Sequence, residues 1–237
     1  MDNNITGNSQ KKIARIAGLL YTLMIPLGAF GIMYIPSAIV VSGNIGETVS
    51  NVIANAVLFR LSLLSAIIVQ ISHIFIVLLL YKLLKFVNKN MATLMVVFML
   101  ISIPIATINE LNHFVILFLS NNSTLLQKND FITLFFRLHE YGILLAGVFW
   151  GLWLFPMGYL VLKSSFLPKA IGIILMIACF GYVIDSMLKL ALPGYTETIF
   201  AQLLIITLYG EILFPLWLLM RGINIQKWEE KYTKIQN

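Results

Sequence analysis

Cysteine occurs once in the 237 residues, at Cys179, so no intrachain disulfide exists and the redox compartment leaves no mark on the composition. Charge is nearly as scarce: Asp, Glu, Lys and Arg make up 11% of the chain against 59% hydrophobic residues, with a mean hydropathy of +0.92. That balance exceeds what a soluble core requires and points to a membrane protein. The short alternating segments of a β-barrel are missing as well; the apolar runs are continuous and of helix length. Also absent are a G-x-S-x-G elbow, a phosphate-binding glycine loop and an H-E-x-x-H run, so the common hydrolase, nucleotide and zincin signatures are not carried.

What is present is a succession of six apolar runs: 13–35, 61–82, 91–119, 138–162, 169–190 and 198–220. Each suffices to cross a hydrocarbon layer of about 30 Å. They predict an all-α integral membrane protein, with one six-helix bundle over 13–220, a polar N-terminal tail over 1–12 and a basic tail over 221–237. The first run is too long and too marked by Gly and Pro for a cleaved signal peptide, and reads as a retained helix. Between the first two spans, Val49, Val52, Ile53, Ala56 and Val57 fall on one helical stripe. A short amphipathic helix on the outer interface is expected there.

Lys11, Lys12, Arg15, Lys82, Lys85, Lys89, Lys163, Lys169, Arg221, Lys227, Lys231 and Lys234 gather on one side of this topology. Only Arg60, Lys128, Arg137 and Lys189 lie on the other. Positive flanks resist translocation, so both termini are expected in the cytoplasm and the protein in the cytoplasmic membrane. The net charge of +6 is this asymmetry and not a nucleic-acid footprint. The lipid bilayer is the partner implied.

Seven ionisable groups fall inside or at the ends of the spans: His73, Glu110, His113, His139, Glu140, Asp185 and Glu211. Such residues are costly at membrane depth, which makes them candidates for a polar pocket. Thr107, Glu110 and His113 recur at i, i+3 and i+6, so their polar atoms share one helix face. Glu140 stands seven residues before Gly147, and Gly147, Gly151, Gly158, Gly172 and Gly181 are placed for close helix packing; Glu140 is therefore expected against a neighbouring helix. Asp185 and Lys189 are set for an i, i+4 ion pair. Pro215 cannot donate to the carbonyl of Glu211, which predicts a kink beside a buried acid. Together these residues, with Arg60 and Arg137 at the mouth, predict a polar pocket open to the outside and floored by His73 and Glu211.

Three chemistries suit such a pocket. In the simplest, Glu110 pairs with Arg137 or Arg60, Arg137 reaches Glu140, and the set binds a small or lipidic ligand or a partner. Buried acids and prolines at 26, 104, 156 and 215 also fit a small permease. A third reading is a membrane-embedded hydrolase or transferase, with a metal drawn from His73, His113 and His139 and a carboxylate. Glu110-x-x-His113 has the i, i+3 spacing of di-iron bundles, but no second such motif occurs. No cofactor is strongly implied.

The segments "ARIAGLLY" (14–21), "LFRLS" (58–62), "LLYKLL" (79–84), "RLHEYG" (137–142), "MGYLVLKSSFLPKAIG" (157–172), "GYVIDS" (181–186) and "LPGY" (192–195) occur in this order. In this the chain resembles the bacterial multi-pass membrane-protein family catalogued as domain of unknown function 4386. The resemblance implies a six-helix membrane protein with no assigned reaction. It marks Arg60, His139, Gly142, Ser165, Pro168, Gly172, Gly181, Tyr182 and Asp185, with an acid near Glu211. The stretch "NELNHF" (109–114) lies outside the shared pattern, which moves the expected centre toward His139.

Overall fold

Lipid offers no hydrogen-bond partner to the backbone, so each apolar run must satisfy its own N–H and C=O groups. Every element of the described chain is accordingly helical. The structure, a computed structural model, describes residues 6–122, 127–192, 194–195 and 209–236. The elements are α1 (Gly7–Ala29), a π-helical turn (Phe30–Tyr34), α2 (Ile35–Ile39), α3 (Ile45–Ala54), α4 (Ala56–Leu84), α5 (Lys89–Asn109), α6 (Leu111–Ser120), α7 (Lys128–Leu152), α8 (Leu154–Ser164) and α9 (Lys169–Ala191). A 3₁₀ turn (Tyr209–Ile212), α10 (Leu213–Met220) and α11 (Ile225–Gln236) complete the chain. Five stretches are long and apolar enough to cross a membrane: Gly7–Ala29, Ala56–Leu84, Lys89–Ser120, Lys128–Ser164 and Lys169–Ala191. Of the sixth expected span, residues 198–208, including Thr207, lie outside the described residues.

Helix starts follow local chemistry. The side chains of Thr6, Asn44 and Asn88 accept from the backbone N–H groups of Ser9, Glu47 and Met91, supplying partners to helix-start donors. Breaks follow proline. Pro156 has no N–H for the carbonyl of Leu152, where α7 ends, and Pro215 has none for Glu211, where the chain runs as a 3₁₀ turn before α10. Pro26 and Pro104 stay inside continuous helices, and a π turn follows α1.

The outward faces are apolar. Leu61, Leu64, Ile68, Ile71, Phe75 and Leu78 form an exposed stripe along α4 at helical spacing, while Gln70, His73, Ile76, Val77 and Leu80 are buried. A water-soluble bundle inverts this arrangement. Inside, small residues let backbones approach. A Cβ on Gly158 would lie 2.6 Å from the carbonyl oxygen of Gly172, and one on Gly172 would lie 2.7 Å from that of Gly158, which locks α8 to α9. Gly147 and Gly151 lie against Ser186 and Tyr182 of α9 in the same way, and Gly181 is buried. Cys179 is a small buried core residue.

Both ends of the chain meet at one end of the bundle. The Gly7 N–H donates to Glu229 of α11 at 3.2 Å, and the Asn224 N–H donates to the Phe166 carbonyl between α8 and α9 at 3.1 Å. Trp228 stacks on Tyr232 with ring centroids 4.9 Å apart, and Phe86 meets both rings edge-on. At the opposite end a second apolar cluster, containing Ile39, Val52, Phe59, Ile116 and Ile132, packs α2 and α3 over α6 and α7.

Several boundaries differ from the sequence reading; the second run, for one, begins at Ala56 and not at Leu61. The third run is not one helix but breaks at Glu110. The fourth begins at Lys128, ten residues before the expected start at Leu138, because residues 128–137 continue the helical pattern outward. The first helix begins at Gly7 and not at Ile13, capped by Thr6.

Replacing Gly172 by Val forces side-chain atoms into the α8 backbone, and overpacking of this kind costs about 1–3 kcal/mol. The midpoint of thermal unfolding in detergent is expected to fall, whereas Gly28→Ala, where an added Cβ meets nothing within 4 Å, leaves it unchanged or slightly raised.

Candidate functional site

The break at Glu110 has a local cause. Asn112 Nδ2 donates to both the carbonyl oxygen and Oδ1 of Asn109, each at 2.9 Å, so a side chain serves the acceptor that the His113 N–H would take in a continuous helix. The His113 N–H turns instead to the Glu110 carbonyl at 3.1 Å. The Asn109 Nδ2 also reaches across to α7 and donates to the His139 carbonyl at 2.9 Å. Gly142 makes that reach feasible: a Cβ there would collide with the Asn109 amide. One asparagine thus fixes the α5–α6 break against the turn of α7 that carries His139.

Three side chains converge on this junction. Glu110 Oε2 lies 3.0 Å from His113 Nδ1, and Glu110 Oε1 lies 3.3 Å from His139 Nε2. The two imidazoles stack with centroids 3.6 Å apart and planes 26° from parallel. One ligand atom from each of the three residues fits within a mutual distance of 4.8 Å. Glu110 and His113 are 7% and 8% exposed, and His139 is half-buried. Phe59 of α4 stands edge-on to His113 at 5.1 Å, and Phe136 at 6.4 Å. A carboxylate buried between aromatic walls needs partners, and the two imidazoles supply one to each of its oxygens.

Along the helix from Lys89, Glu110 is 21 residues on, about 32 Å at the usual rise. That is the full thickness of the hydrocarbon layer, so the cluster sits at the end of the bundle opposite the chain termini.

The remaining candidates separate from this centre. Arg60, Arg137 and Glu140 are exposed, and none of them forms an ion pair among the described residues. The expected pairing of Glu110 with an arginine is replaced by its two histidines, and Glu140 does not face a packed neighbour. Asp185 pairs with Lys189 at 2.7 Å, as its spacing predicts. His73 is not part of the histidine set: it packs edge-on against Trp153 at 6.4 Å, fourteen residues along α4 from Phe59, which is about 21 Å. Trp153 also meets Tyr21, whose hydroxyl donates to Glu211. His73 and Glu211 thus belong to a second, deeper polar region. Sequence signals for this cluster existed in Glu110-x-x-His113 and, separately, in His139; what the sequence did not carry was their pairing across 29 residues.

Two surface grooves occur elsewhere, one between α1, α10 and α11 and one at the α3–α4 turn, and neither is lined by any of the nine pocket candidates.

Comparison with known proteins agrees with the sequence pattern. The family described as Domain of unknown function (DUF4386) matches residues 16–222. An uncharacterised protein of Archaeoglobus fulgidus is 30% identical over 166 residues, 70% of this chain and 86% of that protein. That relative is archaeal, so the likeness extends beyond the bacteria that the resemblance implied. No solved structure matches. With most of its length matched, the chain belongs to the DUF4386 family.

Proposed function

We propose that this protein is a six-span protein of the cell membrane, with both termini cytoplasmic, whose working centre is a site for one divalent transition metal held by Glu110, His113 and His139. The observation that carries the metal reading is the donor spacing. Two ligands on a tetrahedral zinc ion, each at about 2.0–2.1 Å, stand roughly 3.3 Å apart. The carboxylate oxygens lie 3.0 and 3.3 Å from the two ring nitrogens. Two imidazoles and a carboxylate are a ligand set of catalytic zinc, and three protein ligands leave the fourth position for water or substrate. Asn109 holds the His139 turn as a supporting residue.

The chemistry such a centre supplies is that of a Lewis acid, polarising a carbonyl or phosphoryl oxygen or activating a bound water. The reading is therefore a metal-dependent hydrolase or transferase acting on a small or lipidic substrate that reaches the outer end of the bundle. The permease reading rests on Glu211, which Tyr21 already engages, and has less support.

Topology has its own support. Chain ends that meet at one end of the bundle require an even number of crossings, which favours a sixth span beyond the five stretches found. The basic residues cluster at that same end, and α3 packs at the other as the amphipathic outer helix.

Purified protein is expected to bind about one zinc or cobalt ion per chain by elemental analysis, with tetrahedral cobalt visible in absorption. Glu110→Gln, His113→Ala and His139→Ala each lower affinity more than about a hundredfold, beyond the 10–100-fold typical of supporting residues. His73→Ala retains the ion. Gly142→Ala, which displaces Asn109, falls within that supporting range. Metal-free wild type, or metal retained in Glu110→Gln, sinks the reading. Protons compete for the same lone pairs, so the ion is released on acidification.

In a Cys179→Ser background, Ser42→Cys is expected to react with an impermeant maleimide in intact cells, and Glu230→Cys only after lysis. Both positions are exposed. The reverse pattern overturns the orientation.

A further inference from the structure

The groove between α1, α10 and α11 is an open surface depression of about 570 Å³. It has two chemically different halves. Lys11, Lys12 and Arg15 form one, and Ile16, Leu19 and Leu219 the other. Because α1 rises about 1.5 Å per residue, the basic half lies toward the helix start and the apolar half one turn deeper. The groove thus runs from charged to oily along the helix axis, the direction in which a phospholipid runs from headgroup to acyl chain.

No acidic residue lines the groove among the described residues. Lys11, Lys12 and Arg15 form no ion pair among the described residues. The first turn of α1 has no acidic residue, and Glu229 accepts the Gly7 N–H at the helix start. Two of the basic stems are held in place: Gly222, at φ +67°, leaves room for the Lys11 and Arg15 side chains, whose Cγ atoms lie 3.0 and 3.7 Å from where its Cβ would be. The apolar half is open to the bilayer, with Ile16 39% and Leu19 45% exposed.

We infer that this groove binds one anionic glycerophospholipid from the leaflet at the termini's end of the bundle, its phosphate on Lys11, Lys12 and Arg15 and its acyl chain along Ile16, Leu19 and Leu219. An inorganic phosphate uses only the basic half, and a zwitterionic lipid brings a cation to a site already rich in them. The inference is independent of the Glu110 centre.

The test is native mass spectrometry of the full chain in detergent with phosphatidylglycerol, phosphatidylcholine or inorganic phosphate added. Wild type is expected to retain one phosphatidylglycerol and to show no comparable phosphatidylcholine adduct, and millimolar phosphate does not displace it. Each surface cation contributes roughly fivefold, so Lys11→Gln/Lys12→Gln/Arg15→Gln lowers occupancy by about a hundredfold. Lys12→Gln alone, at an exposed position, lowers it about fivefold and serves if the triple variant does not fold. Lys89→Gln/Lys169→Gln/Lys227→Gln removes the same charge from exposed positions outside the groove and leaves the adduct intact. Equal retention of the two lipids, displacement by phosphate, or equal loss in groove and control variants overturns the inference.

Discussion

A carboxylate shared between two imidazoles governs the end of this bundle opposite the α1 start and α11. Glu110 touches His113 on its own segment and His139 on α7, so the α5–α6 break and the neighbouring helix are joined through one side chain. The break is what makes the sharing geometrically available. A straight helix presents side chains outward from its axis; a turn at residue 110 lets the carboxylate sit between its own helix and the next. Asn109 and Asn112 hold that turn with side-chain amides, and Gly142 leaves the space Asn109 needs. The polar centre and the backbone irregularity are one construction, and irregular backbone is tolerated in such a fold where it is buried in protein.

The remainder of the bundle is built on the opposite principle. Between α7, α8 and α9 no ion pair occurs among the described residues; glycine removes side chains so that backbones meet, and dispersion contacts do the rest. Polar binding at one end and glycine packing through the middle divide the fold into a chemically open region and a closed one. The second apolar cluster, with Phe59 beside His113, walls the open region from its own side.

Much of this was legible in the residues. Apolar run length marked five stretches able to cross a membrane, Gly147, Gly151, Gly158 and Gly172 foretold close packing, and Asp185 with Lys189 foretold an ion pair, because each of these is a local or periodic property. The partner of Glu110 was not local. His139 and Glu140 are adjacent, and adjacent residues on a helix point about 100° apart, so only one of them can face α5. Sequence favoured both; packing chose His139 and left Glu140 exposed. The break at 110 was hidden for a related reason: hydropathy reads through it, and only the competition of Asn112 for a backbone acceptor reveals it.

The separation of His73 from the other histidines decides how the chemistry is distributed. About 21 Å of α4 lies between Phe59, beside the cluster, and His73. A metal bond of about 2 Å cannot span such a gap, so the deeper group of His73, Trp153, Tyr21 and Glu211 could not share a ligand set with Glu110, His113 and His139. It lies among fully buried residues such as Ile76, Val77 and Phe214, where a hydroxyl-to-carboxylate bond satisfies Glu211 without water. Two polar regions in one small bundle therefore have different demands. The deeper one keeps a buried histidine nitrogen, His73 Nδ1, without a hydrogen-bond partner beside the Tyr21–Glu211 bond, whereas in the Glu110 cluster each carboxylate oxygen meets an imidazole.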